Sequence, residues 1–310
     1  MRCHLRLLIG AAFVLSLVTG SEAVVNIQNL GAGARSASLG NAFVAVADNG
    51  DAMFANPAGL ATLTGRQLAY TNVSLLHSGL EEDDLGQHVV SLTQPLGGRL
   101  ALGVGYERIG SEQMSENGAF LGVGYRLSRD LQLGLTGKYV FWQVSDFDSN
   151  DPVSGQSAGS VGADVGLLWR TPFQGARLGV QLQNVLQPNA TCNCGSGGSL
   201  ESGAGDLPMD LSVGVSHRRD QMLLSVQWSV RDLGGDGSES RLVLGGETSL
   251  VEGLMLRAGG SRAFEEDAKG DLNAGLGYRW NKMLFDYGYH IPLELSEANG
   301  SHRFSLAWQL

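Results

Sequence analysis

From about residue 66 to the C-terminus, the chain repeats one device. A large apolar side chain alternates with a small or polar one over roughly eight to twelve residues, and a turn follows. Leu100, Leu102, Val104 and Tyr106 fall on one face, opposite Ala101, Gly103 and Gly105. Leu272, Ala274, Leu276, Tyr278 and Trp280 fall on another, opposite Asn273, Gly275, Gly277 and Arg279. A period of two marks strands with a single apolar face. Fourteen such runs begin near Gln67, Gln87, Arg99, Ala119, Leu131, Ser160, Ala176, Met209, Met222, Arg241, Leu254, Asp271, Met283 and His302.

The connections alternate as well. Tight turns such as Pro95-Leu96-Gly97-Gly98, Ser128-Arg129-Asp130 and Asn281-Lys282 follow the even runs. Long polar segments follow the odd ones: 77–86, 110–118, 146–159, 188–208, 232–240, 264–270 and 292–301. Short turns on one side and long loops on the other, with an even strand number, are the mark of an outer-membrane barrel. The sequence therefore predicts an all-β fold, a closed antiparallel transmembrane β-barrel of about 14 strands over residues 66–310. Aromatics gather at both ends of the predicted strands: Tyr125, Trp169, Trp280 and Trp308 at the short-turn rim, and Tyr106, Phe141, Trp228 and Tyr289 at the long-loop rim. Two such girdles are expected where rings meet the two membrane interfaces.

The apolar face must meet lipid, so the opposite face lines the lumen. The alternation puts Lys138, Asp164, Glu247, Arg257, Arg279 and Asp286 there, with Lys138 and Asp164 on adjacent strands. A charge on the lipid face would cost roughly 2–4 kcal/mol near the midplane. Both signs are present, which predicts pairing within a narrow interior.

Composition sharpens this picture. Gly supplies 45 of 310 residues and only 17% are charged, while mean hydropathy stays near zero because only every second strand position is apolar. Residues 1–23 read as a signal peptide, with Arg2 and Arg6, an apolar run from Leu7 to Val18, and Ser21-Glu22-Ala23 before the cut. The net charge is −10, without basic clusters, which argues against a nucleic-acid partner. Cys3 leaves with the signal, and Cys192 and Cys194 form a lone pair in a Gly/Ser-rich loop that lacks further metal ligands. No nucleophile elbow, zinc helix or P-loop is present, so no catalytic residue, cofactor or metal is expected. Asp286, His290 and Ser305 could face the lumen together, but they read more simply as polar lining. Asp146-x-Asp148-x-Asn150 begins like a calcium loop and then departs, with Asp151 where glycine is needed.

Residues 24–65 do not alternate. Small residues with a few apolar ones suit a compact plug packed inside the barrel, and Asn56-Pro57-Ala58-Gly59 should end a short helix and fix its turn. The run Gly33-Ala-Arg-Ser-Ala-Ser-Leu-Gly40, then Asn41-Ala-Phe-Val-Ala-Val-Ala-Asp48, then Asn56-Pro-Ala-Gly-Leu60, resembles the opening of PorV/PorQ family outer-membrane proteins. That family is similar in turn to FadL-type fatty-acid transporters. Gly137-Lys138-Tyr139, Ala163-Asp164-Val165-Gly166, Gln183-Asn184 and Leu244-Gly245-Gly246-Glu247 extend the resemblance over most of the remaining chain. It implies a fourteen-strand barrel with the N-terminal segment in its lumen, set in outer-membrane lipid. It also implies a link to type IX secretion, with exported proteins or secretion components as partners. The alternative it implies is passage of long-chain fatty acids or another hydrophobic small molecule through a plugged barrel.

Overall fold

The computed structural model describes residues 31–74, 86–111, 114–145, 154–190, 207–235, 237–264, 270–293 and 300–310. The expected signal peptide, residues 24–30 of the plug segment, all three cysteines, the acidic run 81–84 and the calcium-like loop start at 146–151 lie outside the described residues.

Fourteen strands form one closed antiparallel barrel in simple chain order, and the first pairs with the last. They are β1 Gln67–Ser74, β2 Gly86–Pro95, β3 Leu100–Gly110, β4 Met114–Arg126, β5 Leu131–Val144, β6 Ser157–Arg170 and β7 Ala176–Gln183. The second half comprises β8 Asp210–Arg219, β9 Met222–Arg231, β10 Glu239–Val251, β11 Leu254–Ala263, β12 Gly270–Trp280, β13 Met283–Pro292 and β14 Ser301–Gln309. The closing ladder runs from Gln67 opposite Gln309 to Ser74 opposite His302. Closure pairs the first strand with the last, as a lipid environment demands, although the β6–β7 ladder covers only Val165–Arg170 of β6.

The largest departure from the sequence expectation is at 110–118. β4 begins at Met114 rather than near Ala119, and Ser115, Glu116 and Asn117 pair with both β3 and β5. Polarity suggested a loop there. A strand that rises beyond the lipid keeps its ladder, though its side chains no longer need to alternate in polarity.

The alternation is realised as two unlike surfaces. Leu121, Leu135, Val161 and Leu244 point outward and are at least half exposed, whereas the opposite-facing residues of the same strands are buried. The girdle residues Tyr125, Trp169, Trp280 and Trp308 are likewise exposed at the short-turn rim.

Inside lies a plug of two short helices, α1 Ala34–Ser38 and α2 Ala52–Ala55, and a 3-10 turn over Pro57–Thr62. Asn56 stops α2. Its backbone is extended, as the following proline requires, and its side-chain oxygen accepts the Ala58 N–H at 3.2 Å. Its amide nitrogen donates to the Val44 carbonyl at 2.7 Å and across to the Leu167 carbonyl of β6 at 3.0 Å, so one side chain joins three segments.

The abundance of glycine follows from this plug. Ten strands present an inward glycine against it: Gly103 and Gly105 toward Met53, Gly122 and Gly124 toward Leu60, and Gly134 and Gly166 toward Asn56, Pro57 and Ala58. Gly179 and Gly214 face Val44, Gly245 and Gly259 face Leu39, and Gly275 and Gly288 face Ser38 and Ala34. At most of these places a methyl group would collide with plug backbone or side-chain atoms. The barrel wall is thinned to backbone around nearly its whole girth so that a second layer of backbone fits within it.

The plugged lumen as candidate functional site

The plug is fastened to the wall by a charge network toward the short-turn end. Arg35 of α1 grips Glu247 of β10 through two parallel hydrogen bonds, 2.7 Å from Nε and 3.1 Å from Nη2, and reaches Asp48 at 2.5 Å. Arg257 of β11 shares Glu247 at 2.7 Å and bonds Asp286 of β13 at 2.6 Å. Arg218, half exposed, closes the circuit to Asp48 at 3.2 Å and Glu247 at 3.6 Å. Paired, bidentate geometry is what makes buried charge tolerable.

Electrostatics within the plug follow from this wiring. Burial of Arg35 disfavours its charge, but Asp48 and Glu247 outweigh that and hold its pKa well above the ordinary value. Burial of Asp48 works against ionisation too, and Arg35, by charge and hydrogen bond, with help from Arg218, holds it below the usual carboxylate range. Asp51 forms no ion pair among the described residues, and Arg35 and Arg257 act on it only from a distance. Burial raises its pKa, and the hydrogen bond from Asn49 only partly opposes this.

A second anchor lies nearer the long loops. Lys138 of β5 meets Asp164 of β6 at 2.6 Å, and the same carboxylate oxygen accepts the Asn184 N–H at 2.8 Å. Asn184 donates in turn to the Pro208 carbonyl at 2.8 Å. The chain leaving β7 is thereby drawn into the lumen, and Ala190 and Leu207 pack on Val140 and Trp142. Trp142 is fully buried and donates to the Ala190 carbonyl at 2.8 Å. Sequence reasoning did not single out Trp142, although it lies on the Lys138 face of β5 and so had to point inward.

Below this cluster a second apolar patch rests on the plug. Phe120 leans over Gly118, whose partner across the ladder is Val140, and its ring meets Phe54 edge-on at 4.9 Å between centroids. Met53 and Leu60 complete this patch. An apolar strip, interrupted on β5 by the Lys138–Asp164 pair, therefore runs along β4 and β5 from Trp142 to the top of α2. The neighbouring sector, β14 through β3, is polar. Arg303 donates to the Gly31 carbonyl at 2.6 Å, Gln87 bonds Glu107, and Ser305 accepts the Ala34 N–H at 2.8 Å.

Of the predicted lumen charges, the structure joins Glu247, Arg257 and Asp286 in one network and Lys138 and Asp164 in another. Arg279 is in neither; it stands exposed at the short-turn end of β12. Parity fixes the side of the wall that a residue faces but not its depth, and at the rim water solvates the guanidinium. The trio Asp286, His290 and Ser305 is divided among other partners: Arg257 for Asp286, Asn273 at 2.9 Å for His290, and Ala34 and Thr71 for Ser305.

No family model and no curated protein matches this chain. Solved structures do match. The CymD monoaromatic hydrocarbon channel aligns with a TM-score of 0.67 at 16% identity, over 93% of this chain and 99% of that one. The toluene transporter TbuX of Ralstonia pickettii aligns at 0.67 and 16%, covering 92% of this chain and 98% of its own. A FadL homologue of Pseudomonas aeruginosa aligns at 0.56 and 13%, covering 91% and 97%. At such identities the likeness establishes the fold: a fourteen-strand, outer-membrane-type barrel similar to FadL-like structures. These matches do not show the PorV/PorQ family.

Proposed function

We propose that this protein is an outer-membrane channel that passes hydrophobic small molecules through a plugged barrel. The observation that carries the reading is the asymmetric lumen. Apolar patches around Trp142 and Val140 and around Phe120 and Phe54 lie along one side of the lumen, and the buried Lys138 between them is neutralised by Asp164. An open pore for polar solutes would have a hydrated bore. Here the plug contacts inward glycines on ten strands. The neighbours whose names describe hydrocarbon channels and toluene transporters support the same reading. The secretion role implied by the PorV/PorQ resemblance depends on external loops that fall largely outside the described residues, and no described surface favours it.

The test is direct. Purified barrel in detergent should bind an apolar fluorescent probe, displaced by toluene or by a long-chain fatty acid, and cells expressing it should take up one of these faster than a deletion strain. Phe120→Asn should weaken binding while the unheated barrel still runs fast on a gel. If neither compound competes and uptake is equal in the two strains, the proposal is wrong.

A further inference from the structure

We infer that the outer surface of the barrel, where β1, β2 and β3 emerge from the apolar belt, binds the phosphorylated sugar headgroup of an outer-leaflet lipid. The outward-facing series changes character at one ladder row. On β1, Leu68 and Tyr70 give way to Asn72; on β2, Leu92 and Val90 give way to His88; on β3, Val104 and Tyr106 give way to Arg108. Asn72, His88 and Arg108 are direct partners across these three strands, so their side chains stand side by side. The Tyr70 hydroxyl lies 2.9 Å from His88 Nδ1, with the two rings stacked. The aromatic residues immediately below mark the interface, so this polar row sits at headgroup level.

A cavity of about 300 Å³, at the small end of ligand pockets, opens beside Arg108. Ser111, Ser115, Gln143, Ser145 and Ser157 line it, so one guanidinium is ringed by hydroxyls and amides, and among the described residues no carboxylate lines it. Arg108 is exposed and makes no ion pair among the described residues. An unpaired arginine suits a phosphate, which it grips with two parallel bonds, and hydroxyls and amides suit a sugar. The chain as a whole is acidic. Even so, the outward-facing charges at the long-loop ends of the described strands are basic: Arg108 and Arg262. Free phosphate or a free sugar phosphate would offer the same chemistry from solution. The position at the lipid boundary favours a headgroup already in the membrane. The inference rests on the outer-membrane placement and not on passage of a hydrophobic solute.

The experiment uses the full barrel in detergent and native mass spectrometry. Three probes are compared: bisphosphorylated lipid A, the same lipid without phosphates, and glucosamine 1-phosphate. The bisphosphorylated lipid should remain bound. Arg108→Ala should weaken it about tenfold or more, the loss expected for a hydrogen-bonded charge, while Arg108→Lys should restore part of it. Equal retention of the phosphate-free lipid would overturn the inference. So would binding that depends wholly on magnesium and ignores Arg108→Ala, which would assign the lipid to the acidic loops. Tight binding of glucosamine 1-phosphate alone would assign the site to a soluble ligand and overturn the lipid identity. Uptake of hydrophobic solutes should be unchanged in Arg108→Ala, so failure here leaves the transport reading separately testable.

Discussion

At the scale of single residues, the lumen is governed by who shares a carboxylate. Glu247 is held by Arg35 from the plug and Arg257 from the wall. Glu247→Gln leaves two buried guanidiniums underpaired and should destabilise the folded barrel by about 3–5 kcal/mol, read as a lower temperature at which the compact gel band is lost. Asp48 and Asp51 should respond to pH in opposite ways. Asp48 is depressed, so its contribution is present above the unfolded carboxylate range and disappears as pH falls through its folded value. Asp51 is raised by burial, so the fold is favoured where it is protonated and loses that favour as pH rises through its folded value. Asp51→Asn should therefore be more stable than the parent at neutral pH, and the gap should close in acid; a gap that widened in acid would contradict this account. The wall charges were legible in the sequence because a period of two assigns each strand residue a side. Their plug partners were not. Arg35 sits in a segment without period, and nothing local marks it as reaching a residue 212 positions away.

At the scale of elements, strand starts were readable wherever lipid contact enforces alternation, as at Gln67, Leu131, Ala176, Met222, Leu254 and Met283. They were unreadable where β4 climbs past the lipid, because water accepts either parity there. The inward glycines were visible as the small half of each alternating run, but their purpose was not, since a small residue opposite a large one needs no second layer to explain it. That purpose is testable. Gly134 lies against the backbone of Pro57 and Ala58, so Gly134→Leu must displace the 3-10 turn. Gly137, on the outward face of the same strand, has open space around its missing side chain. Gly134→Leu should lower thermal stability and raise leakage of small polar solutes, while Gly137→Leu should do neither. The lipid-facing side gives the converse experiment. Leu135→Arg, between the two, should cost roughly 2–4 kcal/mol if that position lies near the midplane, reducing the fraction of protein recovered as compact barrel in the outer membrane.

At the scale of the whole molecule, wall and plug act as one cross-section. Glycines on ten strands touch the plug, charged side chains clamp it on one side and polar ones on the other, and the apolar strip ends against α2. A solute that reaches Phe54 can proceed only if the plug shifts or if it leaves sideways through the wall. A reversible lock separates these routes. A side chain built at Gly50 would lie 3.3 Å from the Ser91 oxygen of β2, close enough for a disulfide between Gly50→Cys and Ser91→Cys. With Cys192 and Cys194 replaced by serine, that bond would tie the plug to the wall without touching the apolar strip. If the plug must move, the oxidised protein should bind the apolar probe normally yet lose uptake, and reduction should restore it. Full uptake in the oxidised state would mean that the plug is a fixed floor and that the solute turns outward between strands above it.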